Sequence, residues 1–184
     1  EEYWNHPDLG TLPYKAECEN CIEEIHKRTI DERFYIDAEN PSIFYIEKSA
    51  TPSNYPVDGK LIAIDPNLKQ VGNGLYAAYN QPFPTEVNVQ DGWTSFKAGN
   101  KKLRFNRITL IEYDKNLNIT TYQPDWSDYT VGDNGVRVYD IFPGIDMTLQ
   151  FRKGGIKTNF IIKQPKPNVE KLIFRDNLDV PANM

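Results

Sequence analysis

Alternating apolar and polar positions recur along most of the chain and predict β-strands. Beyond Arg33, short apolar stretches return roughly every 8 to 12 residues, a spacing typical of β-sandwiches and barrels. Ile, Val, Thr, Tyr and Phe are frequent, and these residue types favour strands over helices. We therefore expect an all-β fold, with about nine or ten short strands in a two-sheet antiparallel β-sandwich.

Glycine and proline mark the expected corners between these strands. Residues 34–36 and 43–46 flank a turn that contains Pro41, which predicts a hairpin. The pair Asp58-Gly59 predicts a second hairpin. Residues 93–96 and 103–105 alternate on either side of Gly99 and predict a third. The stretch 65–74 is rich in proline and glycine, so we expect it at a sheet edge or in a loop.

One segment, residues 16–28, has a helical pattern. Ile22 and Ile25 lie three residues apart, acidic residues come first, and Lys27 and Arg28 come last, as the helix dipole favours. This predicts a short N-terminal helix within an arm of residues 1–32. We expect the sandwich to span residues 33–176 and a linker to start in residues 177–184.

Length and charge narrow the classes of protein. The 184 residues fit one domain. Lys and Arg number 21 against 26 Asp and Glu, a net charge of -5 with no concentrated basic cluster, so we expect no nucleic-acid partner. No run approaches the roughly 18 apolar residues of a membrane helix, so we expect no transmembrane segment.

The two cysteines, Cys18 and Cys21, are spaced for a disulfide, a redox pair or half of a metal site. His6 and His26 make a zinc set arithmetically possible, although the spacing is not that of a zinc finger. A disulfide or two unreactive thiols are the favoured interpretations, and the disulfide is expected if the protein is secreted. Because no His or Cys follows His26, residues 33–176 lack the residues of a nucleophilic triad, and we expect no enzyme.

Five acids lie close together in the sequence around two aromatic residues. They are Asp125, Asp128, Asp133, Asp140 and Asp146, near Trp126 and Tyr129. Paired acids beside aromatic rings are what a glycosidase uses, and a carboxylate hydrolase is therefore one alternative. Turn residues are the favoured interpretation. Oxygens of Asp128, Asp133 and Asn134 are candidate calcium ligands, and calcium is the one cofactor that we consider.

Four aromatic residues near predicted turns are candidates for stacking on a ligand. They are Trp93, Trp126, Tyr122 and Tyr129. Flat aromatic faces of this kind bind sugars, whereas packing in the sandwich core is the simpler interpretation. Exposure of the rings distinguishes the two.

One stretch resembles a known family. It reads Val138-Tyr139-Asp140-Ile141-Phe142-Pro143-Gly144-Ile145-Asp146-Met147 and continues through Gly154-Gly155-Ile156-Lys157-Thr158-Asn159-Phe160-Ile161-Ile162. Both parts resemble the Tyr…Pro-Gly-Ile-Asp signature of an amino-terminal β domain in very large bacterial secreted and cell-surface proteins. These include adhesin-like proteins exported by type IX secretion and, more distantly, Rhs/YD-repeat wall proteins. Shorter matches extend the resemblance over about residues 18–174.

The resemblance implies a non-catalytic structural module at the N-terminus of a longer extracellular, cell-surface or outer-membrane-associated protein. Such a module acts in adhesion or assembly, through protein–protein interaction with envelope proteins or with other domains of the same protein. It brings no catalytic residues. The alternative from the aromatic residues is a carbohydrate-binding sandwich module, with glycans as partners and calcium as an optional stabiliser.

The physical chemistry of the signature is structural. Pro143 and Gly144 favour a tight turn, because proline fixes φ and glycine accepts positive φ. We expect Asp146 to cap that turn by accepting main-chain N–H bonds. Ile145, Met147 and Leu149 should then share one face of the following strand.

Overall fold

The structure, a computed structural model, describes residues 20–153 and 155–180, and these are almost entirely β-strand. A single-turn 3₁₀ helix spans Ile25–Lys27. The strands of the described residues are β1 (Cys21–Glu23), β2 (Glu32–Asp37), β3 (Phe44–Lys48), β4 (Asn54–Val57), β5 (Lys60–Ala63), β6 (Lys69–Gly72), β7 (Leu75–Ala78), β8 (Thr85–Asn88), β9 (Trp93–Ala98), β10 (Lys101–Asp114), β11 (Ile119–Tyr122), β12 (Tyr129–Gly132), β13 (Gly135–Phe142), β14 (Ile145–Arg152), β15 (Gly155–Ile162) and β16 (Val169–Asp179). The all-β prediction is confirmed.

The strands of the described residues form four antiparallel sheets. The largest has seven strands, in the order β11-β10-β9-β8-β7-β6, and β16 also pairs with β10. A second sheet has the order β12-β13-β14-β15. Two smaller sheets, β1-β2-β3 and β4-β5, complete the described residues, where the sequence predicted only two sheets.

The turns follow the glycine and proline signals. The hairpins β2–β3, β4–β5 and β9–β10 form where they were predicted. In β4–β5 the corner residues Asp58 and Gly59 have φ of 48° and 76°, the left-handed pair that an Asp-Gly hairpin turn uses. The glycine-rich stretch 65–74 contains β6, which is the end strand of the largest sheet, as expected for an edge.

Strand β10 organises the largest sheet. One of its edges pairs with β9 over Lys101–Asn106 and then with β11 over Leu110–Tyr113, while its other edge pairs with β16. A bulge interrupts the β16 pairing between Asn106 and Thr109, and Arg107 has a φ of 56° there. The sequence predicted two short strands here; the bulge joins them into one 14-residue strand.

One apolar core draws residues from both larger sheets. Val87 and Leu110 come from the seven-stranded sheet, and Val138, Ile145 and Phe151 come from the four-stranded sheet, all with 0% exposure. Ile145, Met147, Leu149 and Phe151 alternate along β14 and all belong to this core, as the period of two predicts. The two larger sheets thus contribute to one shared core.

The predicted N-terminal helix is not found in the described part of residues 16–28. Cys21–Glu23 is strand β1, which pairs with β2 from Cys21↔Asp37 to Glu23↔Tyr35. Ile22 and Ile25 are 63% and 61% exposed, so they do not form the buried face that the helix would need. Cross-strand pairing outweighs the local helical pattern here.

Strand pairing crosses both of the predicted domain limits. A boundary after residue 32 would divide the β1-β2-β3 sheet, since β1 belongs to the predicted arm. At the other end, Asn177, Leu178 and Asp179 pair with β10, so these residues extend a strand instead of starting a linker. Among the described residues, none of the helical structure is long and apolar enough to cross a membrane.

Candidate functional site

The clearest candidate site is a pocket of about 780 Å³ beside Trp126. We call it the Trp126 pocket. Its lining residues are Val89, Gln90, Asp91, Gly92, Arg107, Gln123, Pro124, Asp125, Trp126, Ser127 and Tyr129. Two of the four predicted stacking residues, Trp126 and Tyr129, therefore lie in one pocket with side chains that donate and accept hydrogen bonds.

The sheet topology explains why a pocket forms here. β9 begins at Trp93, opposite Asn106, and β11 ends at Tyr122, opposite Leu110, on the same edge of β10. The segments before β9 and after β11 both line the pocket, and Arg107 lies between these two pairings on β10. The bulge at Arg107 carries that residue's side chain to the pocket lining, as bulges often redirect side chains.

The loop that carries Trp126 is fixed at both sides of the indole. The Asp125 main-chain N–H donates to the Ile141 carbonyl at 2.9 Å, which ties the loop to β13. The Asp125 carboxylate accepts a hydrogen bond from the Ser127 N–H at 2.9 Å. Hydrogen bonds from the Ser127 side chain and main chain lower the pKa of Asp125. A carboxylate therefore stands at the pocket in its ionised form at neutral pH.

Gly92 fits closely against the Trp126 ring. A Cβ at position 92 would lie 2.6 Å from the indole Nε1, and the φ of 66° is one that residues with a side chain rarely adopt. The indole also packs against the apolar core, and its Nε1 is buried with no hydrogen-bond partner among the residues that the structure describes. Glycine at this position allows the main chain to approach the indole.

Tyr129 occupies the opposite end of the loop, at the start of β12. It packs against the core, and its hydroxyl interacts with Tyr76. Burial raises the pKa of Tyr76, with a smaller contribution from Tyr129. Tyr129 thus contributes a held, partly buried ring to the pocket.

The other two predicted stacking residues lie outside the pocket lining, and cations cover their rings. The Arg104 guanidinium lies 4.2 Å from the Trp93 ring centre, and Lys102 Nζ lies 5.1 Å from it. Lys166 Nζ lies 5.7 Å from the Tyr122 ring. Burial raises the pKa of Tyr122, and interactions with Glu112 add to the shift. Both rings already have cation–π partners within the fold.

The calcium candidates are separated by a strand. Asp128 precedes β12, whereas Asp133 and Asn134 form the turn after it, so the extended strand places Asp128 and Asp133 about 16 Å apart along the chain. Main-chain carbonyls of all three accept β-type hydrogen bonds from neighbouring segments. No group of three or more His, Cys, Asp or Glu in the part of the chain that the structure describes is placed to hold a metal.

Asp140 and Asp146 form a second polar cluster, on the signature stretch. We call it the Asp146 network. The Asp146 carboxylate accepts hydrogen bonds from Arg137 Nη2 and from the Asp140 main-chain N–H, both at 2.9 Å. Lys163 Nζ lies 2.8 Å from both carboxylates. Asp146 is only 2% exposed.

This network holds a bulge in β13. Pairing with β14 shifts between Val138 and Phe142, and Asp140 has a φ of 45° at that point. Asp146 was expected to cap the Pro143-Gly144 turn, but Asp140 is the residue that accepts the Gly144 N–H, at 3.2 Å, and Asp146 accepts the N–H of Asp140. Burial alone would raise the pKa of Asp146, but hydrogen bonds from Lys163, Asp140 and Arg137 lower it overall.

The remaining acids of the hydrolase alternative lie in the loop before β12 and in the turn after it. Asp125 is in the Trp126 pocket, Asp128 is exposed beside β12, and Asp133 is in the β12–β13 turn. Asp140 and Asp146 are the pair that the fold brings together, and Lys163 bridges them. Two carboxylates bound by one ammonium are suited to holding structure.

The cysteine region is described in part. Cys21 is disulfide-bonded, so it offers no thiolate for zinc. Cys18 and His6 lie outside the described residues, and the Cys18–Cys21 pairing stays a prediction. His26 lies in the 3₁₀ turn.

Sequence reasoning missed the polar half of the Trp126 pocket. Gln90, Asp91, Arg107 and Gln123 come from three separate segments, and no spacing in the sequence joins them. The Asp91-Gly92 pair beside an aromatic strand was the one local signal, and it indicates only a turn.

Comparison of the chain with protein families, curated proteins and solved structures found no match.

Proposed function

We propose that the chain is a non-catalytic β module of a secreted or cell-surface bacterial protein, acting in adhesion or in assembly with envelope proteins or other domains of a longer chain. The Asp146 network is the observation that carries this proposal. The acids of the signature stretch are bound by Arg137 and Lys163 around a strand bulge, an arrangement that supports a structural use of the signature. We also propose that the two larger sheets are the layers of a sandwich, because they share one core.

Two measurements test the proposal, the location of the protein on the cell and its lack of hydrolytic activity. Antibodies raised against residues 20–180 should label intact cells of the source organism as strongly as permeabilised cells. Purified protein should release no reducing ends from a panel of glycans. Labelling only after permeabilisation would contradict the surface location, and turnover that Asp146→Asn abolishes without unfolding the protein would contradict the non-catalytic role.

Carbohydrate binding is a second candidate, and the Trp126 pocket favours it. The pocket combines an indole and a phenol ring with planar amide, carboxylate and guanidinium groups, which are the groups that bind sugar faces and sugar hydroxyls. Its volume of about 780 Å³ lies within the range of small-ligand sites. Binding of a glycan here would give the module its adhesive contact.

A glycan array followed by calorimetry tests this candidate. Gln123→Ala removes an exposed amide from the pocket and should weaken the best glycan about tenfold, since a buried hydrogen bond to a ligand is lost. Thr121→Ala, on the exposed part of β11 outside the lining, is the matched control and should leave affinity unchanged. An array without hits, or equal losses in both variants, would remove this candidate.

A further inference from the structure

A second cavity, of about 500 Å³, lies between the two larger sheets. We call it the Phe96 pocket. Its lining residues are Phe83, Thr94, Phe96, Phe105, Gly155, Ile156, Thr158 and Asp176. The residues come from β9, β10 and β16 of the seven-stranded sheet, from β15 of the four-stranded sheet, and from the loop before β8. The cavity therefore continues the apolar layer between the sheets.

Asp176 is the unusual residue of this lining. Residues 172, 174 and 176 alternate on one face of β16, and Leu172 and Phe174 pack against the core. Phe174 stacks on Phe160 with ring centres 3.9 Å apart. The next position on this face is a carboxylate where the pattern would place an apolar residue. Asp176 thus brings the only charge to an otherwise apolar and hydroxyl-bearing lining.

The Asp176 carboxylate has no cationic partner within the described ranges 20–153 and 155–180. Asp176 as a whole is exposed, but desolvation of its carboxylate beside the cavity raises its pKa, and a main-chain hydrogen bond from Asn177 offsets part of the rise. Several other acids on strands are bound by Lys or Arg, as Asp146 is by Arg137 and Lys163 and as Glu112 is by Lys166. Asp176 instead faces a cavity large enough for a small molecule.

Aromatic rings form the walls beside this carboxylate. The rings of Phe96 and Phe105 lie 6.0 Å apart at an angle of 31°, and Phe83 is 42% exposed. Aromatic faces attract cations through the ring quadrupole, and a carboxylate attracts them by charge. The apolar walls favour a hydrocarbon body over a hydrated metal ion.

We propose that the Phe96 pocket binds a small organic cation, in which an ammonium group is attached to an aromatic or branched apolar body. The ammonium pairs with Asp176, and the body fills the space between Phe96, Phe105 and Ile156. This inference does not depend on the proposed adhesive or glycan-binding role, because the Phe96 pocket and the Trp126 pocket share no residue.

A set of three matched compounds tests the class of ligand. Phenethylamine, 2-phenylethanol and 3-phenylpropionate have the same ring and carry a cation, a neutral hydroxyl and an anion at neutral pH. Two-dimensional amide NMR at pH 7 should show saturable shifts of Phe96, Phe105 and Asp176 with phenethylamine. The alcohol should bind about tenfold more weakly, and the carboxylate should not bind at these residues.

Two variants and a control locate the interaction. Asp176→Asn keeps the size of the side chain, removes its charge and should weaken phenethylamine about tenfold. Phe105→Leu removes one ring and should weaken it about threefold. Glu170→Gln changes an exposed acid on the same strand and should have no effect. Equal binding of the three compounds, no saturable binding of phenethylamine, or unchanged affinity in a folded Asp176→Asn protein would each overturn the proposal.

Discussion

Replacing Asp146 with Asn tests whether the Asp146 network holds the fold. The change keeps the shape of the side chain and one acceptor for the Asp140 N–H, but removes the charge that Arg137 and Lys163 share. A hydrogen bond between charged groups contributes about 1.5 to 3 kcal/mol. Lys163 is 37% exposed and keeps Asp140 as a partner, so we discount its share to below about 1 kcal/mol. The expected loss of unfolding free energy at pH 7 is about 2 to 3 kcal/mol.

The loss should depend on pH in a defined direction. The pKa of Asp146 is lowered in the folded chain, so its stabilising contribution is fully present above the pKa of the unfolded chain, about 4. The contribution is lost as the pH falls through the still lower pKa of the folded state. The difference between wild type and Asp146→Asn should therefore be constant from about pH 5 to pH 7 and shrink below about pH 4.

Urea unfolding followed by tryptophan fluorescence measures both quantities. Asp128→Asn is the matched control, because Asp128 is exposed; its effect should stay within about 0.5 kcal/mol at every pH. A destabilisation of Asp146→Asn that persists unchanged at pH 3 would refute the electrostatic account. A loss below about 0.5 kcal/mol at pH 7 would refute the structural role altogether.

Three further substitutions probe local features. Gly92→Ala places a Cβ 2.6 Å from the Trp126 indole at a φ of 66°. Urea unfolding should show a loss of about 1 to 3 kcal/mol in the free energy of unfolding, together with a change in tryptophan emission. Unchanged emission and stability would contradict the close contact. Leu117→Gly should raise the midpoint of thermal unfolding measured by calorimetry. Leu117 is 74% exposed and has a φ of 64°, a left-handed conformation that costs a residue with a side chain about 1 kcal/mol and glycine little. A lower midpoint would contradict this backbone strain. Asn54→Ala removes a buried amide that donates to two main-chain carbonyls and should lower the free energy of unfolding by about 2 kcal/mol. An unchanged midpoint of urea unfolding would contradict this prediction.

Local turn chemistry made much of the strand layout predictable. Asp58-Gly59 and Pro143-Gly144 form corners because their φ preferences act within two residues. The alternation along β14 also identified its core face correctly. These features need no knowledge of which strand lies beside which.

Features that depend on distant partners were not predictable. Residues 16–28 have a helical pattern, yet Cys21–Glu23 pairs with β2. β10 was expected as two strands, because the bulge at Arg107 that joins them is stabilised by pairing with β16, more than sixty residues later in the chain.

In the candidate sites, too, local features were predictable and features that depend on distant segments were not. The aromatic half of the Trp126 pocket was identified, since Trp126 and Tyr129 are three residues apart in the sequence. Arg107, Gln90 and Gln123 were not, because a sheet edge brings their segments together. Asp176 was also missed, because its place in the lining of the Phe96 pocket depends on the face of β16 that it occupies.

The pairing of β10 with β16 has a consequence for the growing polypeptide. During synthesis, β10 leaves the ribosome long before residues 169–179, and the whole four-stranded sheet is made in between. Until β16 arrives, one side of a 14-residue strand presents free amide and carbonyl groups, which are templates for association between nascent chains. Emergence of residues 169–179 therefore completes the pairing of this edge of β10 and removes it as a template for association.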